Sequence, residues 1–175
     1  VKNNFAVTMQ DTFIVGKINP DGKKFDSVSR IEAEGESLEM LMTLDVNTDV
    51  YPIKENEKHV VLLTSTLNKD GSAVGDYYTQ GSRLCWENLC LPVRAGTSSL
   101  GCGTGLKTGR DSIADKFDYI MQGKIYRISE EGSGANVKAE IYVSFGGLLM
   151  LLKGNPSYVS EFDLDQRLFL CMRRL

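Results

Sequence analysis

Apolar side chains recur at every second position through most of this chain, the period of strands that bury one face. The clearest run is Lys138–Lys153, KAEIYVSFGGLLMLLK, where Ala139, Ile141, Val143 and Phe145 alternate with Glu140, Tyr142 and Ser144. Gly146-Gly147 follows. Two residues free to take φ > 0 are what a two-residue hairpin turn requires, so the run predicts a β-hairpin. Its second half, Leu148–Leu152, is apolar on both faces, and such a strand is expected to be covered on both sides, centrally in a closed or layered sheet.

Weaker runs of the same period predict strands over Thr12–Ile18, Phe25–Ala33, Leu38–Val46, Lys58–Thr66, Phe117–Ile128 and Phe162–Met172. Turn formers separate them: Asn19-Pro20-Asp21-Gly22, Gly35, Asn68-Lys69-Asp70-Gly71, Gly132–Gly134 and an Asn155-Pro156 loop. Pro52 ends regular pairing, Asp111 or Ser112 is placed to cap a short helical turn before Phe117, and Gly123 marks a bulge or bend. Residues 1–8 have no period and read as a disordered tail, which leaves residues 9–175 as one domain. Between about residues 72 and 110 the period lapses into a Gly- and Ser-rich loop of unusual length. Many short strands without a long amphipathic helix argue for an all-β antiparallel barrel or sandwich.

A chain of 175 residues buries about 70% of its unfolded surface, enough for one core without metals or disulfides. No apolar run reaches membrane-spanning length and no leader pattern opens the chain, so a soluble, intracellular protein is expected. Net charge is −3, with 13 acidic and 8 basic side chains in residues 1–80 and 4 basic to 1 acidic in residues 81–110. A body this neutral lacks the footprint of a protein whose affinity comes from phosphate contacts.

The strings NPDGKKFDSVSRI, LDVNTDVYP, DKFDYIMQGKIYRI, YVSFGGLLMLLKG and FDLDQRLFLCMRRL stand in one order along the chain. In that order they resemble the family of the eighth subunit of eukaryotic RNA polymerase II, shared by RNA polymerases I, II and III, over Met9–Leu175. The resemblance implies an OB-fold-like antiparallel β-barrel with a long Ω-type loop, without catalytic residues or cofactors. It implies docking on the polymerase largest subunit, by a barrel face and sheet edge, beside other core subunits in the nucleus and nucleolus. It also implies weak, non-specific binding of single-stranded DNA by a segment matching about Asn19–Thr43. There Lys23, Lys24, Phe25 and Arg30 supply cations and a ring for backbone and base, although Glu32, Glu34, Glu36 and Glu39 follow at once. The alternative is a free-standing OB-type module for single-stranded nucleic acid. The departure from the family is residues 81–109, an insertion in the loop position with three of the four cysteines and the only tryptophan.

Other candidates read as ordinary structure. Gly101–Thr108, GCGTGLKT, imitates a phosphate loop, but Leu106 separates the last glycine from Lys107. Cys85, Cys90 and Cys102 lack paired zinc-knuckle spacing and read as free thiols. His59 is the only histidine and reads as an ordinary polar residue on a strand face. Asp163 and Asp165 would share a strand face, an arrangement open to a divalent cation, against the plainer reading of a charged strand entry. Arg173 and Arg174 either meet an acidic partner or simply end the chain.

Overall fold

The computed structural model describes residues 8–23, 25–68, 71, 113–132 and 137–175. Eight strands form one closed antiparallel barrel: β1 (Thr8–Ile18), β2 (Val28–Gly35), β3 (Leu41–Asn47), β4 (Lys58–Thr64), β5 (Tyr119–Glu131), β6 (Lys138–Phe145), β7 (Leu148–Gly154) and β8 (Arg167–Arg174). The order around the ring is β1-β2-β3-β7-β6-β5-β8-β4. Two three-stranded meanders, β1 to β3 and β5 to β7, meet along β3 and β7, while β4 and β8 seal the other side. This is the all-β, OB-like barrel expected. Each strand has a neighbour on both sides, so the sheet edge expected for docking is absent among the described residues, and only faces are on offer.

The hairpin forms as its pattern requires. Phe145 pairs with Leu148 across Gly146 and Gly147, whose φ values are 62° and 105°. Its inward residues, Ala139, Ile141, Val143, Phe145, Met150 and Leu152, enter the core with Phe13, Ile31, Leu44, Val61, Leu63, Leu168 and Leu170. The outer face of β7 is the correction, because Leu149 stays 40% exposed and Leu151 is only half-buried. Two-sided burial belongs instead to β4 and β8. Outside them, Val60, Leu62, Phe169 and Cys171 form a second apolar cluster with Leu67 and Phe117, flanked by Ile113 and Ala114. The covering pieces are the two ends of the loop-bearing segment. Ile113 N donates to Leu67 O at 2.9 Å, so the two described ends of that segment meet at one point on the barrel. The loop over residues 72–110, the insertion over 81–109, the tail over 1–7, and the Asp111 and Ser112 caps lie outside the described residues.

Boundaries moved where turn chemistry outweighed period. β1 starts at Thr8 rather than Thr12, and β2 at Val28 because Phe25, Asp26 and Ser27 turn, with Ser27 at φ 64°. Met40, Met42, Leu44 and Val46 do point inward, yet β3 begins only at Leu41. Asn155-Pro156 opens a helical turn, α1 (Pro156–Val159), where Ser157 N donates to Asn155 Oδ1 at 2.9 Å, so the side chain caps it. The β5 bulge sits between Ile125 and Arg127, not at Gly123. Gly123 is there for closeness: a Cβ would stand 2.5 Å from Phe145 Cδ1 and 2.5 Å from Ser144 O.

Candidate functional site

The segment expected to meet single-stranded DNA is the connection from β1 into β2. Asn19 begins its turn, with Gly22 N donating to Asn19 O at 2.9 Å. Lys23 is exposed, Phe25 is 66% exposed with its ring in solvent, and Lys24 lies outside the described residues. Arg30 is otherwise engaged. It sits on the outer face of β2 opposite Asp45 of β3, where Nε donates to Asp45 Oδ1 at 2.7 Å and a terminal nitrogen donates to Oδ2 at 3.1 Å. This two-bond fork raises the guanidinium pKa further above its ordinary value. The structure therefore brings Lys23 and Phe25 to one surface turn, and commits Arg30 to the barrel wall.

A different surface stands out on the outer faces of β3, β7, β6 and β5. The register aligns Thr43, Leu151, Tyr142 and Arg127 in one row across the four strands. Leu41 and Leu149 flank Leu151 and are 43% and 40% exposed, while Tyr126, the bulge residue, is 49% exposed. The Arg127 guanidinium lies 5.0 Å from the centre of the Tyr142 ring, a cation–π contact. Ion pairs border the row: Lys153 Nζ reaches Glu140 at 3.0 Å and also pairs with Glu131. Glu140 further accepts from Tyr142 Oη at 2.9 Å and Ser129 Oγ at 3.3 Å. Its carboxyl is held below the usual range, first by the Lys153 hydrogen bond and then by Tyr142.

The family model described as RNA polymerase Rpb8 matches residues 10–174, nearly the whole barrel-forming chain. The chain belongs to the RNA polymerase Rpb8 family. It is 46% identical over 169 residues to "DNA-directed RNA polymerases II, IV and V subunit 8B" of Arabidopsis thaliana, covering 97% of each. It is 36% identical over 171 residues to "DNA-directed RNA polymerases I, II, and III subunit rpabc3" of Dictyostelium discoideum, covering 97% of this chain and 98% of the relative. Against the Saccharomyces cerevisiae subunit of polymerases I, II and III the identity is 29% over 165 residues, covering 94% and 95%.

In this Rpb8-family barrel the alternative sites take structural roles. Asp163 and Asp165 precede β8 instead of lying on it: Asp163 N donates to Gln166 Oε1 at 2.9 Å, and Asp165, at φ 64°, pairs with Lys124 at 3.1 Å. Among the described residues no three His, Cys, Asp or Glu side chains gather as metal ligands. His59 is fully buried, not an ordinary strand-face residue. Its inward position on β4 closes one end of the core, with Nδ1 3.1 Å from Tyr51 Oη and Nε2 3.6 Å from Glu57 Oε2. Burial pushes its pKa below the usual 6.5. Tyr51 stacks on Tyr119 at 5.0 Å, and burial raises its hydroxyl to about 12. Arg174 closes the cluster from outside, 3.3 Å from Glu57 and over the Tyr51 ring, so it is an internal fastener; Arg173 is exposed. The cysteines 85, 90 and 102 and the glycine-rich string at 101–108 lie outside the described residues.

Sequence reasoning missed the His59 cluster and the outer row. The cluster joins residues from β4, β5, β8 and the connection before β4. The row depends on which strands are neighbours, and β3 beside β7 is a crossover that period alone does not announce.

Proposed function

We propose that this protein works by docking on the largest subunit of the nuclear RNA polymerases, where its barrel stabilises the assembled enzyme. As an Rpb8-family member it is a non-catalytic, shared polymerase subunit. Its relatives' names all include polymerase II and differ over the others, and we assign this chain to polymerases I, II and III. Entry into polymerase I places it in the nucleolus as well as the nucleoplasm. The observation that carries the reading is the end-to-end match to subunits so named, in a barrel whose interior is filled by packed side chains. A filled barrel acts through its surface.

The test is affinity purification of the tagged chain from nuclear extract with nuclease present. Co-elution of the largest subunits of the three polymerases supports the reading; recovery of the chain without them overturns it in favour of the free-standing single-strand-binding module.

A secondary, weak contact with single-stranded DNA is favoured by the 66% exposure of Phe25 beside Lys23. Lys24 adds a cation, and Arg30 would join only by leaving Asp45. Stacking therefore dominates over charge, so Phe25→Ala should abolish binding in a fluorescence titration, whereas Arg30→Gln should change it little. A larger loss from Arg30→Gln would contradict this ordering.

A further inference from the structure

The turn that carries Phe25 is held from outside itself. Phe25 and Val28 pair across it as an isolated antiparallel bridge, with Ser27 between them in the left-handed region at φ 64°. A residue with a Cβ is disfavoured in that region, and serine lacks the freedom of glycine. The connection that follows β3 supplies the hold. Thr48 N donates to Ser27 O at 2.9 Å, and Ser27 Oγ donates to Asp49 Oδ2. Asp49 is in turn fixed from the core outward. Its N–H donates to Asn47 Oδ1 at 3.1 Å, and Asn47 N donates to Oη of the buried Tyr119 at 3.1 Å. A chain of bonds thus runs from the barrel interior to the base of Phe25, whose ring remains 66% exposed.

We propose that Asp49 is a positioning residue for single-stranded DNA: by holding Ser27 it keeps the Phe25 ring turned outward, so that a base stacks on a ring already in place. The assignment rests on the single-strand contact proposed above. A ring on a loose turn must be ordered when the strand arrives, and that ordering weakens binding; a turn ordered beforehand avoids the loss. The charge of Asp49 makes the role testable, because it pulls the other way. Asp21, Asp26 and Asp49 are exposed carboxylates along or beside this turn, and a carboxylate near a phosphate backbone disfavours the complex. As a charge alone, Asp49 opposes DNA, and its removal would tighten binding. As the acceptor that holds Ser27 it favours DNA, and its removal loosens binding. The hydrogen bond outweighs the charge here because stacking carries most of the contact, with Arg30 committed to Asp45 on the barrel wall.

The experiment follows the fluorescence anisotropy of a labelled oligodeoxythymidylate at low salt as the full chain or a variant is added. Phe25→Ala should abolish binding. Asp49→Ala and Ser27→Ala should each weaken it about fivefold. Their double variant should lose no more than either single one, since both remove the same bond. Asp49→Asn gives up the charge but keeps an oxygen that accepts from Ser27, so it should bind at least as tightly as wild type. Every variant should melt within a few degrees of wild type, because the bond lies at the surface; a large fall would make the loss one of folding and overturn the role. Unchanged or tighter binding by Asp49→Ala, or weakening by Asp49→Asn to the same extent as Asp49→Ala, would overturn it while the Phe25 contact stands. Additive losses in the double variant would do the same. If the unsubstituted chain does not bind the oligonucleotide, or Phe25→Ala binds as tightly, the single-strand reading fails and this assignment with it.

Discussion

Three single residues expose how tightly the wall is built. At Gly123 the obstruction to a methyl group includes the Ser144 carbonyl, which is backbone and cannot swing aside. Gly123→Ala should therefore destabilise the barrel by about 1–3 kcal/mol in urea unfolding, and a neutral result would show that β5 and β6 can part. Cys171 is fully buried and burial pushes its thiol up to about 12, so it stays protonated and sheltered. Peptide mapping after brief iodoacetamide treatment should find Cys171 unlabelled in native protein and labelled in urea. His59 adds a pH dependence. Its folded-state pKa lies below the ordinary value because burial disfavours the charged ring, so below about pH 6.5 the unfolded chain binds a proton that the folded one resists. Its contribution is complete above that pH and is lost as pH falls towards the folded value. Carboxylates such as Glu140 add their own acid loss at lower pH. The His59→Gln variant should be less stable than wild type near neutral pH, yet lose less between about pH 6.5 and about pH 5.5. Parallel losses in the two proteins would contradict the assignment.

At the scale of strands and turns, one carboxylate stitches three strands. Asp45 on β3 holds Arg30 of β2 and also accepts from Leu149 N of β7 at 3.1 Å, just past the last paired residues of β3 and β7, Leu44 and Met150. The side chain thus continues the seam where the backbone ladder stops. Asp45→Ala should cost about 1–3 kcal/mol, because Leu149 N loses its acceptor while Arg30, 41% exposed, is left to water. Arg30→Ala should cost at least as much, because it leaves the Asp45 carboxylate, 11% exposed, without its cation. A neutral Arg30→Ala in thermal unfolding would refute this ordering. The sequence made the strands themselves legible: alternation in Ala139–Phe145, the Gly146-Gly147 turn and the inward Met40, Met42, Leu44 and Val46 all appear as read. Period could not say which strand has a covered outer face. Leu148–Leu152 and Leu168–Met172 look equally apolar in sequence, and only the descent of Leu67 and Phe117 onto β8 distinguishes them. For the candidate surfaces the same limit held. Arg30 looked available as a cation because Asp45, its partner, is 15 residues away; Asp163 and Asp165 looked aligned because the turn that splays them precedes β8.

For the whole molecule, function follows from a closed ring with a filled interior. Among the described residues no strand edge is offered and the core is occupied, which leaves the outer faces for binding. The pairing of Ile113 with Leu67 means that the segment between them starts and ends at one place on the barrel, and the closure cost of such a loop grows only logarithmically with length. Shortening it while keeping Leu67 and Ile113–Phe117 should leave the melting temperature within a few degrees of wild type; a large fall would show that the segment is part of the core. The function turns most on membership of the transcribing enzyme. The direct measurement is to purify RNA polymerase II through a tag on its largest subunit and follow this chain by intact mass through gel filtration, alongside promoter-independent RNA synthesis. The chain should co-elute with the activity peak and persist there after nuclease treatment. Elution as a free protein of its own mass, with the activity elsewhere, would contradict the account.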